Sequence, residues 1–201
     1  MMFGTLVHET IEDIHRAAIR GEVDKITNDN IATWFESNYN SLVKSEHTYL
    51  AEPQRNAALS QVERYAERMD GKWASVQQAE VDVSLVKEDY IIDGKIDLVK
   101  GVDGTVEIVD FKSERKPDMV KMRERLEHYR RQLQIYAYLI EQRTGQKVSK
   151  MHLYYTGEEN GIVYIKYNRE KDEPRILEHD TVKVYGEFGG LTRYNTIFGN
   201  E

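Results

Sequence analysis

Between residues 5 and 20 apolar side chains return about every 3.6 positions. Leu6, Ile11, Ile14, Ala18 and Ile19 line one side, and Gly21 stands where a helix would be capped. That spacing predicts a first helix. Asn28, Asp29 and Asn30 are capping candidates for a second, carrying Ile31, Trp34, Phe35 and Leu42. Pro53 suits the first turn of a third helix, which runs to Met69 before Asp70-Gly71 stops it. The period then changes to two, and residues 76–86, 90–99 and 105–111 alternate as strands do. A helical stripe returns over 117–143, through Leu126, Tyr129, Leu133, Tyr136, Ala137 and Ile140, and Thr144-Gly145 closes it. Strand-like runs follow at 148–155 and 162–167, and the tail from Arg175 onward shows no clear period.

Helices, a strand meander, a long helix and further strands predict one α+β domain: a central mixed β-sheet flanked by helices, with an N-terminal helical segment. The expected parts are a helical stretch over 1–72, a sheet and long-helix core over 73–170, and a C-terminal extension over 171–201. Strand order is not legible at this level.

Composition narrows the chemistry. The chain has 201 residues, of which 40% are hydrophobic and 31% charged, so a disordered or low-complexity chain is excluded. Mean hydropathy is −0.67 and no apolar run is long enough to span a bilayer, so no membrane partner is expected. Met1-Met2-Phe3-Gly4 leads straight into a charged helix rather than a secretory leader, and a cytoplasmic location is expected. The chain has no cysteine, which removes disulfides, thiolate zinc sites, iron–sulfur clusters and thiol nucleophiles. A metal would have to be held by oxygen or imidazole.

The formal charge is −7, from 28 basic and 35 acidic residues, which argues against a protein that simply coats nucleic acid. Residues 112–131 run the other way, with 8 basic against 4 acidic. That stretch is either a solvated helix face or the place where an acidic molecule meets a polyanion.

The most informative segment is 90–112. Asp103-Gly104 between two alternating runs signals a two-residue hairpin turn. With those residues as the turn, opposed positions sum to 207, and Asp97 faces Asp110. Lys95 and Lys112 share that face by alternation. Opposed like charges are destabilising unless something compensates them. A lysine two residues on would do so, and so would a Mg²⁺ ion, held by a few carboxylates with waters and phosphate oxygens, with a lysine alongside for phosphate or proton transfer. The competing reading is an exposed hairpin face whose charges are solvated.

Other candidates are individually weaker. His8 is followed by Glu9, but Glu12 stands where a second zinc-binding histidine would be required, so the residue is either a core-edge histidine or an added imidazole ligand. Gln132 and Tyr136 lie one turn apart, as core and polar border or as groups that touch phosphate or the lysine. Glu80, early in the first strand, is a weak candidate, and Tyr154-Tyr155 could stack on bases or simply pack. The chain lacks both the G-x-x-x-x-G-K-[ST] phosphate loop and the G-x-S-x-G elbow, so no ATP binding is expected.

Four segments fall in a recognisable order: Gly4-Thr5-Leu6-Val7-His8-Glu9, Gly94-Lys95-Ile96-Asp97, Ile108-Val109-Asp110-Phe111-Lys112 and Gln132-Leu133-Gln134-Ile135-Tyr136. Together, over residues 4 to about 156, they resemble the motifs of RecB-like nucleases in the PD-(D/E)xK superfamily, most nearly the nuclease domain at the C-terminal end of UvrD/Rep-type DNA helicases. The resemblance implies a restriction-endonuclease-like fold. It implies His8, Asp97, Asp110 and the main-chain carbonyl of Phe111 as metal ligands, with Lys112 positioning or deprotonating the attacking water. Gln132 and Tyr136 would support that lysine and contact DNA. Ser113-Glu114 departs from the Thr-Gly of many relatives, and the lack of cysteine separates the chain from the iron–sulfur branch.

The expected activity is therefore that of a Mg²⁺-dependent deoxyribonuclease, with Mn²⁺ able to substitute. It would work as an exonuclease on single-stranded DNA ends delivered by an ATP-dependent helicase, in DNA repair or recombination. The motifs begin at residue 4, which predicts a domain of a longer polypeptide whose motor lies elsewhere. The alternatives are a catalytically silent nuclease-like module that binds DNA or protein, and an acidic adaptor domain.

Overall fold

Helix α1 (Met2–Ile19) buries Leu6, Ile11 and Ile14 of the expected stripe and adds Val7 and Ala17, whereas Ala18 is half-buried and Ile19 exposed. The structure, a computed structural model, describes residues 2–86, 90–102, 104–118, 122–168, 170 and 192–195. Helix α2 (Asn28–Glu46) is capped one residue earlier than expected. Thr27 is extended and its hydroxyl accepts from the backbone N–H of Asn30, while Asn30 turns its own amide to the Lys25 carbonyl. Helix α3 (Glu52–Met69) has Pro53 in its first turn, and the Gln54 side chain accepts from the Ala51 N–H; Gly71, at φ 71°, ends it. Helix α1 packs against both others. Asn38 of α2 reaches across to Asp13 at 2.8 Å, and Phe35, Val62 and Tyr65 are fully enclosed. Each such apolar side chain contributes about 1.5–3 kcal/mol relative to exposure.

The strands are β1 (Val76–Val86), β2 (Tyr90–Val102), β3 (Thr105–Lys112), β4 (Val148–Tyr155), β5 (Ile162–Ile165) and β6 (Thr192–Asn195). They form one sheet in the order β1-β2-β3-β4-β5, with β6 also paired to β2. Strands β2 and β3 are antiparallel, as are β2 and β6. Strands β3 and β4 run parallel: Val106 N–H bonds to the Lys147 carbonyl and Thr156 N–H to the Lys112 carbonyl, both partners advancing together. Parallel neighbours need a crossover, and helix α4 (Arg123–Thr144) supplies it. Strands β4 and β5 are joined by a short loop in which Tyr155 N–H bonds to the Gly161 carbonyl. The fold is α+β and restriction-endonuclease-like, with a mixed sheet.

Helix α4 begins six residues later than its apolar pattern predicts. Pro117 and Asp118 are irregular and residues 119–121 lie outside the described set. Through its middle, every residue from Gln132 to Ile140 is buried, so the helix is enclosed on all sides there rather than along one stripe. Strand β5 stops at Ile165. Beyond Glu170 and β6, the expected C-terminal extension lies outside the described residues.

By internal contacts the chain divides into two compact units. One comprises residues 1–79, 111–116 and 154–162, and the other 80–110, 117–153 and 163–201. The first holds α1, α2 and α3 with the ends of β3 and β4. The second holds most of the sheet and α4.

Candidate active site

In the second unit the β2–β3 hairpin has the register that the turn residues predict. Val102 pairs with Thr105, Val99 with Ile108 and Leu98 with Val109, and every pair sums to 207. Gly104 has φ 76°, the left-handed conformation such a turn demands; Asp103 lies outside the described residues. The pairing runs from Val102–Thr105 to Leu98–Val109; continued by one residue, that register would bring Asp97 opposite Asp110. Asp97 is half-buried and Asp110 is 5% exposed, so these are not carboxylates on a solvated face.

Helix α4 brings a phenol to this pair. The Tyr136 hydroxyl accepts from the Gln132 side-chain amide at 3.0 Å and is also hydrogen-bonded by the backbone of Lys95. Burial drives its pKa well above the ordinary value; Asp110 and Asp97 push it further up, while the bonds from Gln132 and Lys95 oppose them. Tyr136 is thus a neutral hydroxyl that feels both aspartates. Sequence reasoning left Gln132 as a border residue or a phosphate contact, but it is buried, because its amide is spent on Tyr136 rather than on water.

Lys95 turns its ammonium to Glu80 at 2.9 Å; the two side chains are 50% and 17% exposed. Glu80 has φ 51°, a left-handed conformation rare for a residue with a Cβ and unusual within a strand. No sequence pattern announces that.

The first unit surrounds Phe111 with rings. His15 stacks on it at 5.7 Å between centroids, while Tyr65 at 5.1 Å, Tyr154 at 5.7 Å and His8 at 6.4 Å meet it edge-on. His8 and His15 lie two helical turns apart on α1, so one helix offers Phe111 both contacts. His15 Nε2 and the Tyr65 hydroxyl share a 2.6 Å hydrogen bond. Burial lowers the His15 pKa to about 3, so the imidazole is neutral, and burial raises Tyr65. Tyr154 is committed to this cluster and its hydroxyl accepts from Arg68, while Tyr155 is fully buried, so neither ring is offered for stacking on bases. Sequence reasoning missed His15 and Tyr65, whose partnership spans 50 residues.

The half-buried Lys112 is pinned through its main chain, its carbonyl accepting from Thr156 N–H at 3.0 Å. Thr156 is anchored in turn by its hydroxyl to Gln61 at 2.7 Å. A Cβ on Gly4 would lie 2.8 Å from the Ser113 hydroxyl, so the start of α1 comes close to the residue after the lysine. In the basic stretch, Arg130 and Arg131 both engage Glu127, and Lys116 donates to the Asn160 carbonyl, which favours the solvated-face reading for those three.

Among the described residues no group of three or more His, Asp or Glu side chains forms a ready-made cation site. The hairpin instead offers two acids. That fits Mg²⁺, which usually takes one or two carboxylates and completes its shell with waters and substrate phosphate. Among the described residues, no helix is long and apolar enough to cross a membrane.

The family model of the PD-(D/E)XK nuclease superfamily matches residues 2–187. No curated protein matches the chain. Among solved structures, a candidate exonuclease from Eubacterium rectale is 16% identical, the match covering 87% of this chain and 69% of that one with a TM-score of 0.48. The protein SSO0001 is 17% identical over 89% of this chain and 87% of its own, with a TM-score of 0.42.

Proposed function

The chain belongs to the PD-(D/E)XK nuclease superfamily, and from that premise we propose that it is a divalent-cation-dependent deoxyribonuclease whose reacting centre is the β2–β3 hairpin. What supports this reading is the hairpin register, which continued by one residue would set Asp97 against Asp110, together with the buried Tyr136 hydroxyl, whose pKa both aspartates raise. Asp97 and Asp110 would hold the cation, Mg²⁺ with Mn²⁺ as a substitute. The Phe111 carbonyl and His8 join them on the strength of the family resemblance. When bound, such an ion lowers the pKa of water and neutralises phosphate charge.

The side chains divide the remaining work. Lys112, two residues past Asp110 and so on the same side of β3, positions the attacking water and offsets charge developing on the phosphate. Its pinned main chain limits how far the ammonium can wander. Tyr136 keeps its proton at every pH at which a nuclease works, so it serves as a hydrogen-bond donor and not as a base. Gln132 fixes the direction of that hydroxyl. The ring cluster holds the side chain of Phe111, the residue that precedes Lys112.

Finer parts of the proposal rest on the resemblance alone. They are exonucleolytic action on single-stranded DNA ends, attachment to an ATP-dependent helicase in DNA repair or recombination, and a single nuclease domain over 1–201. The test is cleavage of labelled single-stranded DNA with Mg²⁺, Mn²⁺ or EDTA. Cation-dependent cleavage, reduced at least about 100-fold in Asp110→Asn and Lys112→Met, is expected. Cleavage that persists in EDTA contradicts the reading. So does DNA binding without cleavage under any cation, which would favour the catalytically silent module.

A further inference from the structure

A buried charge on β3 has no part in the proposed chemistry. Glu107 and Asp110 are three apart on that strand and so leave opposite faces of the sheet. Glu107 is 6% exposed, yet its carboxylate carries two partners, the Lys150 ammonium at 3.1 Å and His152 Nε2 at 3.3 Å. Lys100, paired with it across the hairpin, shares its face. Taking a carboxylate and an imidazole out of water is costly, and a lysine as exposed as Lys150 returns little of that. Apolar side chains would fill such a face at less cost, so the network serves something besides stability.

What it holds is Tyr164 of β5. The His152 ring packs against the phenol at 5.0 Å between centroids. Burial holds the pKa of His152 below its ordinary value; Lys100 and Lys150 act in the same sense and Glu107 opposes them, so near neutral pH the imidazole is an uncharged ring. Tyr164 is 67% exposed, a ring with a buried support and an open side. Beside it lies an open groove of about 710 Å³, to which Lys150, Tyr164, Lys166 and Glu170 contribute. Two lysines against one acid, among the described residues that line it, make the groove locally positive on a chain whose net charge is −7.

We propose that this groove is a second contact for single-stranded nucleic acid, in which a base stacks on the open side of Tyr164 and Lys150 and Lys166 take the adjoining phosphates. The inference rests on the nuclease reading above and adds to it a binding site on the sheet face away from Asp110. Every base has a π-face and every linkage a charge, so the contact is indifferent to sequence. The volume is within the range of sites that enclose a small ligand, enough for a nucleotide unit.

Fluorescence anisotropy of a labelled oligothymidylate of about 16 nucleotides, titrated with the full chain in EDTA to prevent cation-dependent cleavage, tests this. Tyr164→Ala should bind about tenfold more weakly than the parent, and Tyr164→Phe, which keeps the ring, within about twofold of it. Lys150→Gln combined with Lys166→Gln should flatten the slope of log Kd against log salt by about 1.4, the share of two phosphates on a single strand. An abasic strand of the same length offers phosphates without bases, and Tyr164→Ala should bind it as well as the parent does. A parent that binds the strand while Tyr164→Ala matches it overturns the inference alone, leaving the groove to another occupant such as a protein. So does an equal loss on the abasic strand, because the ring would then act through the fold, and so does an unchanged salt slope. A parent that binds no single strand overturns the proposed DNA substrate and this inference together.

Discussion

Tyr136 shows how single residues carry the account. Its oxygen accepts from Gln132 and is bonded by the Lys95 backbone, two aspartates act on it, and it stays neutral far above physiological pH. Tyr136→Phe removes the hydroxyl but keeps the ring, leaving the buried Gln132 amide and the Lys95 backbone short of a partner. Denaturant unfolding should record a loss of about 1–3 kcal/mol. Cleavage should slow, while the shape of the rate profile between pH 6 and 9 stays that of the parent. A lost ionisation limb in that profile would mean that the phenol does titrate, against its position beside two acids.

At the scale of elements, the hairpin was legible because a two-residue turn fixes register by arithmetic. Once Asp103-Gly104 is recognised, the pairing of Val102 with Thr105 through Leu98 with Val109 follows with no further information. Helices were legible wherever an apolar period ran unbroken. Their ends were less so: Thr27 caps α2 because Asn30 spends its amide on Lys25, and α4 starts only after the Pro117 segment. The left-handed Glu80, the His15–Tyr65 bond and the parallel pairing of β3 with β4 were not legible. Each depends on a partner distant in sequence or on a backbone angle that no residue type announces. One element-scale consequence is sharp. A Cβ on Gly161 would collide with the Tyr155 carbonyl oxygen, which belongs to backbone and cannot rotate away. Gly161→Ala should therefore cost about 1–3 kcal/mol or more in urea unfolding, by forcing apart the β4–β5 connection. A variant as stable as the parent would show that this loop yields freely.

For the whole molecule, the net charge of −7 means that the proposed DNA binding would depend on local cations and not on a general attraction. Stability has its own pH signature. Folded His15 takes a proton only near pH 3, whereas the unfolded residue does so near 6.5. Between those values the unfolded chain holds more protons, so this residue makes stability rise with pH across the window and adds no slope above it. Lowering the pH from 6.5 to 4.5 should cost about 2–3 kcal/mol through His15, and His15→Phe should lose that part of the acid slope. Parallel slopes for parent and variant in chemical denaturation would contradict the buried neutral imidazole.

The central claim is that the two aspartates of the hairpin grip one ion. The most direct measurement is an anomalous-scattering map from crystals of the chain soaked in Mn²⁺. The account predicts a single strong peak within about 2.0–2.3 Å of a carboxylate oxygen from both Asp97 and Asp110. A peak bound by neither aspartate, or carboxylates that turn to opposite faces of the sheet, would contradict it.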